Sequence, residues 1–304
     1  MLTVSNYHYI RTDFSAKFPS IFGVTPTQFE AQLQLLKNHG TFVSPNDLTG
    51  HFDDILKSAE NHILITFDDG LREQYDYALP ILDRHNIPAV FFASSINTEH
   101  KKVNTVHKIH LLRSILAPKE LMQKLSENNV STLEVSEQSH AQSIYRYDDA
   151  ITAGLKYLLN FKMPFGLQEQ IIGKIFANYF NESEINEKLY MDTKNLVHLA
   201  ENGYLGSHTH NHYPLGLLPA EQIQFELEHS KSYFDELTKM PTTMVSYPYG
   251  TNEACTPEVA KKAIDAKYVL GFTTNRGVNT IEDNPLLLKR FDCNDLPGGK
   301  SYKP

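Results

Sequence analysis

Cysteine is scarce in this sequence: Cys255 and Cys293 are the two among 304 residues, far apart and in no metal-binding spacing. Neither a disulfide framework nor a cysteine-based metal site is indicated. Long apolar runs are missing as well. No stretch of about 18 apolar residues exists, which argues against a membrane span. The N-terminus, Met1-Leu2-Thr3-Val4-Ser5-Asn6-Tyr7-His8, lacks a charged n-region and a long apolar h-region. No secretory signal is read there, and the expected compartment is cytoplasmic. Basic charge is in deficit, with 28 Lys and Arg against 36 Asp and Glu and a formal net charge of -8. Nucleic acid is therefore not an expected partner, because phosphate binding wants a basic surface.

What is present is an ordinary globular composition, 41% hydrophobic and 21% charged, in short apolar runs that alternate with amphipathic helical patterns. That rhythm signals an α/β fold with a parallel sheet. Strands are expected at 2–9, 62–66, 89–93, 204–207, 243–247, 268–272 and 286–291. Helices are expected from Thr25-Pro26 to Gly40, and at 72–84, 192–202, 219–237 and 257–266. About seven strands separated by helices fit a distorted (β/α) barrel, closed or nearly closed. The segment 97–190 breaks the rhythm and carries helical patterns at 106–116, 119–126 and 150–180. It reads as a helical insertion within a single barrel domain over 1–304. Its apolar helix faces need covering, so it is expected to border a site at the barrel end or an oligomer interface.

Three motifs follow strands. The first is Thr66-Phe67-Asp68-Asp69-Gly70. Adjacent carboxylates after a buried strand are costly unless paired, hydrogen-bonded or metal-bound, although the pentapeptide alone is equally a solvated turn. The second is Gly206-Ser207-His208-Thr209-His210-Asn211-His212. Its outer histidines, four apart, would share one side of a helical turn and could bind one transition metal. His210 would then point away and be structural. The third is Ser246-Tyr247-Pro248-Tyr249-Gly250, alone only a turn. In the insertion, His107 and His110 could form a second metal site, but such histidines, with His100, are expected to be solvated.

In this order, the motifs resemble the polysaccharide deacetylase family, which carries Thr-Phe-Asp-Asp-Gly, His-[Ser/Thr]-x-x-His and an Arg-x-Pro-Tyr-like motif. The resemblance covers residues 1–96 and 191–292. It implies Asp68 as general base, and Asp69, His208 and His212 as ligands of a divalent metal, usually Zn2+. It also implies the Tyr249 N–H as an oxyanion donor. Two departures stand out. Ser246 replaces the arginine that usually orients the catalytic aspartate, and the family's C-terminal Leu-x-His is missing. Arg290, near the end of the chain's last strand, could pair with Asp68 instead. His8 could be the acid, as the histidine of an N-terminal Tyr-His pair does in some bacterial members.

The resemblance implies removal of N-acetyl groups from an N-acetylated sugar, oligosaccharide or polysaccharide precursor, with a carbohydrate as the partner. A hydrolase of another C–N amide or imide, or of an O-acetyl ester, fits the same scaffold. An inactive carbohydrate-binding protein is the third reading, though a binder need not keep both the base and a metal triad.

Overall fold

The computed structural model describes residues 1–303, which divide into two compact units. The first comprises Met1–Thr12, Gly23–Lys102 and the chain from Asn186 onward; the second comprises Asp13–Phe22 and Val103–Ile185.

The first unit is an α/β half-barrel. Its strands are β1 (Leu2–Tyr7), β2 (Thr41–Phe42), β3 (His62–Phe67), β4 (Ala89–Ala93), β5 (Leu205–Ser207), β6 (Met244–Ser246), β7 (Leu270–Phe272) and β8 (Phe291–Asp292). The order is β7-β6-β5-β4-β3-β1-β8, with β2 beside β3, and every pairing is parallel. The sheet curls, with helices around it, into the expected distorted (β/α) barrel. Between β7 and β8 a lone parallel bridge joins Phe272 to Leu288.

The strand expected at 286–291 shrinks to Phe291–Asp292 for a local reason. Pro285 has no N–H to give a ladder, and the Leu286 N–H is taken by the Asn284 side chain at 2.9 Å. The two-residue β2, too short to show a period, was not read from the sequence. The helix Pro26–Leu36 begins as its residues require, with Thr25 and Gln28 forming a reciprocal capping box and Pro26 at the first position.

Parallel sheets bury both faces, and side chains alternate between them with period two. In β3, Ile63, Ile65 and Phe67 join one core with Tyr7, Phe29 and Phe91, packed under the helix Pro26–Leu36. Leu64 joins the other core with Leu2, Val4, Val90, Phe92, Met244, Leu270, Phe272 and Leu288. Continuing that second face by twos leads from Leu64 through Thr66 to Asp68, from Val4 through Asn6 to His8, from Leu288 to Arg290, and from Met244 to Ser246. The same alternation that fills the barrel with aliphatic groups thus delivers polar groups at its far end.

The second unit is helical: Thr105–Ile115, Pro118–Glu127, Val135–Ile144, Ala150–Tyr157 and Phe165–Phe176. It has its own core, with Leu112, Leu121, Leu125, Leu155, Ile172 and Phe176. His107 is fully buried in its first helix, not solvated as the sequence suggested. Both cysteines are buried and unbridged, and burial pushes each thiol up to about 12. No helix of the described residues is long and apolar enough to cross a membrane.

Phe67 stacks on Phe91 at 4.6 Å and also meets Tyr7 and Phe29. Phe67→Ala is expected to cost about 3–5 kcal/mol, the scale for truncating a buried aromatic, read as a lowered midpoint in urea denaturation.

Candidate active site

The backbone after β3 turns sharply. Gly70 sits at φ 60°, and a Cβ there would meet the Ala93 Cβ at 2.8 Å, so the turn requires glycine. Asp69 before it is also left-handed, at φ 80°. The segment after β5 is not the helical turn expected from His-x-x-x-His. It is an irregular loop with Thr209 at φ 62° and His212 at φ 59°. Glu226, buried in the helix Ala220–Thr238, holds that loop. Its carboxylate accepts from the backbone N–H groups of His210 (3.1 Å) and Asn211 (2.7 Å) and from the Asn211 side chain (2.6 Å). Left-handed non-glycine residues are uncommon, and four of the nine found here are Asp69, Thr209, His212 and Tyr249. Such backbone is concentrated where surrounding structure holds a functional geometry in place.

The loop brings two imidazoles onto one carboxylate. His212 Nε2 lies 3.2 Å and His208 Nε2 3.5 Å from Asp69 Oδ1, with all three side chains buried. His208 Nδ1 lies 2.7 Å from the Ser246 carbonyl. A carbonyl can only accept, so Nδ1 carries the proton and Nε2 is the nitrogen aimed at Asp69. That is the second-sphere arrangement of a metal-binding histidine. Ligand atoms about 2.0–2.2 Å from a tetrahedral ion lie about 3.3–3.6 Å apart, so these separations fit one divalent ion. Burial lowers the His208 affinity for a proton, but Asp68 and Asp69 outweigh it and raise its pKa above the usual value. The site therefore attracts a positive charge, which a metal ion would supply.

Asp68 faces a different partner. Arg290 NH1 donates to Asp68 Oδ1 at 2.9 Å and NH2 to Oδ2 at 2.7 Å, a bidentate pair with both side chains buried. The remaining guanidinium donors go to the Thr273 carbonyl, the Thr66 hydroxyl and the Ser246 hydroxyl, so all five are satisfied. Burial pushes Asp68 up, but Arg290, then His208, more than reverse this and hold it well below the usual carboxylate range.

His8, half-exposed just after β1, has Nε2 4.0 Å from Asp68 Oδ2. Tyr249, left-handed at φ 64°, lies against His212 with ring centroids 5.4 Å apart. His210 faces elsewhere, its ring 4.4 Å from that of His229.

A family model described as polysaccharide deacetylase matches residues 56–266. The chain belongs to the polysaccharide deacetylase family. It is 22% identical over 303 residues to YxkH of Bacillus subtilis (strain 168), which bears a polysaccharide deacetylase name, covering 99% of this chain and 74% of that protein. Among solved structures, Streptococcus pyogenes deacetylase PplD in complex with acetate aligns with TM-score 0.59 and 18% identity, covering 100% of this chain and 98% of that one. IcaB from Ammonifex degensii aligns with TM-score 0.58 and 18% identity, covering 95% and 90%. At these identities the likeness is one of fold.

Within this deacetylase fold, sequence reasoning missed Glu226 and Gln74. Glu226 could have been noticed as a charged residue on the apolar stripe with Ile223, Leu227 and Phe234. Gln74, in a π-helical turn, donates to the carbonyls of both Asp68 (2.6 Å) and His8 (2.9 Å); no sequence pattern marks it, though π turns favour functional sites.

Arg290→Met is expected to cost about 3–5 kcal/mol at neutral pH, because it strands a buried carboxylate. The sign of its pH dependence follows from Asp68. In the wild type the depressed pKa contributes stability that is present above the unfolded value, about 3.9, and lost only in stronger acid. In the variant the largest influence opposing burial is gone and only His208 and His8 still act against it, so the pKa rises relative to wild type and protonation relieves the cost. The deficit against wild type should narrow as pH falls toward about 4, as measured by denaturant titrations across pH.

Proposed function

We propose that this chain is a metal-dependent hydrolase that removes N-acetyl groups from an N-acetylated sugar, oligosaccharide or polysaccharide precursor. The observation that carries this reading is the convergence, at one end of the barrel, of an ionised Asp68 with the Asp69, His208 and His212 cluster. Family membership supports the same reaction class.

Asp69, His208 and His212 would hold the ion, and two imidazoles with one carboxylate suit Zn2+. Bound there, it supplies Lewis-acid polarisation of the acetyl carbonyl and a lowered pKa for the attacking water. Asp68 takes that water's proton. Its pairing with Arg290 holds its pKa below the usual carboxylate range and keeps it ionised near neutral pH, ready to accept that proton. The backbone N–H of Tyr249 donates to the developing oxyanion. His8, whose Nε2 lies 4.0 Å from Asp68 Oδ2, protonates the leaving nitrogen.

The loss of arginine at position 246 does not favour a different hydrolase, because Arg290 restores the charge beside Asp68. An inactive binding protein would not need the buried Asp68–Arg290 pair next to a metal-type cluster.

Acetate release from N-acetylglucosamine oligomers, with metal counted per chain, tests the reading. Asp68→Asn should keep the metal and lower kcat by at least about 100-fold. The His208→Ala, His212→Ala variant should lose metal at the Asp69 cluster together with activity. His8→Ala should lower kcat by about 100-fold with metal retained and flatten the alkaline limb of the pH profile. Near-normal turnover in Asp68→Asn would place the base elsewhere, and an unchanged alkaline limb in His8→Ala would remove His8 as the acid.

A further inference from the structure

A second cluster of metal-type side chains lies beside the first and shares no residue with it. Glu99, His100 and His210 each present a ligand atom within 4.8 Å of the others. His229 adds a fourth group, its Nε2 2.8 Å from Glu99 Oε2. His210 Nδ1 is 3.7 Å from Glu99 Oε2, and His100 Nε2 is 3.9 Å from Glu99 Oε1. These separations bracket the roughly 3.3–3.6 Å edge of a tetrahedron built on ligand distances of about 2.0–2.2 Å.

The backbone that carries the cluster is fixed. Ser95 N–H donates to the Thr209 carbonyl at 3.2 Å and Ile96 N–H to the His210 carbonyl at 3.3 Å. The Ser95 hydroxyl lies 2.7 Å from His210 Nδ1, and Phe225 packs on the rings of both His210 and His229. His210 is buried, Glu99 and His229 are half-buried, and His100 is at the surface. The cluster is thus reachable from solvent on one side and built on three elements.

We propose that Glu99, His100, His210 and His229 form a second metal site, for a borderline-soft divalent ion of the Zn2+ class. Three nitrogens and one oxygen suit Zn2+, Co2+ or Ni2+; Mg2+ and Ca2+ want oxygen. The ion would tie the helix Ser95–Glu99 and the helix Ala220–Thr238 to the loop that carries His208 and His212. It would brace that loop without touching the acetyl group.

The test is a metal count on the full chain, equilibrated with Zn2+ and freed of excess by gel filtration. Two equivalents are expected in the wild type. One is expected in the His208→Ala, His212→Ala variant, and one in the His100→Ala, His229→Ala variant. Circular dichroism checks folding, and Glu99→Gln with His229→Gln replaces the alanine pair if that pair does not fold. Titration of the His208→Ala, His212→Ala background with Zn2+ should weaken at least about tenfold on adding Glu99→Gln. A single wild-type equivalent that disappears entirely from the His208→Ala, His212→Ala variant overturns the second site, as does Zn2+ affinity in that background unchanged by Glu99→Gln. Because the readout is metal and not acetate, this result is independent of the proposed activity.

Discussion

The Asp68–Arg290 pair is the interaction on which the polar end of the barrel depends. Two buried charges cost several kcal/mol each to remove from water, and the fold recovers this only through complete satisfaction. All five guanidinium donors have acceptors, drawn from β3, β6, the end of β7 and Asp68 itself. The arginine therefore ties together strands that lie well apart in the sheet order. Arg290 comes from the segment just before β8, across β1 from β3, while Ser246 ends β6. A small hydroxyl at 246 leaves room for a guanidinium that arrives from the chain's far end and accepts its last N–H. The charge beside the aspartate is kept while the strand that provides it changes.

Adjacent carboxylates then divide their work by direction. Asp68 continues the inward face of β3, after Leu64 and Thr66, and meets Arg290. Asp69 takes a left-handed backbone, which turns its side chain toward His208 and His212. Had both residues stayed extended, the period of two would have sent them to opposite faces of the sheet. The positive φ at Asp69 and the required Gly70 are what allow one strand end to serve both a guanidinium and an imidazole pair.

Much of this was legible in the sequence because it follows from periodicity and spacing. The strand-helix rhythm gave the barrel, and the three motifs fell at strand ends in the order needed to bring them together. His8 could be named from the resemblance and Arg290 from its place near the end of the last strand; the structure pairs β1 with β8. The loop His208–His212 was misread for an identifiable reason. A four-residue histidine spacing fits one face of a helix, but the sequence does not reveal that Glu226, 14 residues beyond His212, takes the loop's N–H groups. Those N–H groups would be left without partners at the start of a helix, and a buried carboxylate that accepts them stabilises an irregular loop instead.

The same loop explains how His210 can be surrounded by metal-type groups while standing between two residues of another cluster. With Thr209 and His212 left-handed, successive side chains leave the loop in different directions. His208 and His212 converge on Asp69, while His210 turns to Glu99 and His229. Glu226 must hold that path in both places at once, since it bonds the N–H of His210 itself. A carboxylate raised in pKa by burial, and only partly offset by its hydrogen bonds to Asn211 and His210, is an expensive residue to keep in a helix. Its cost is understandable if the conformation it enforces serves two sets of ligands, one on each side of the chain.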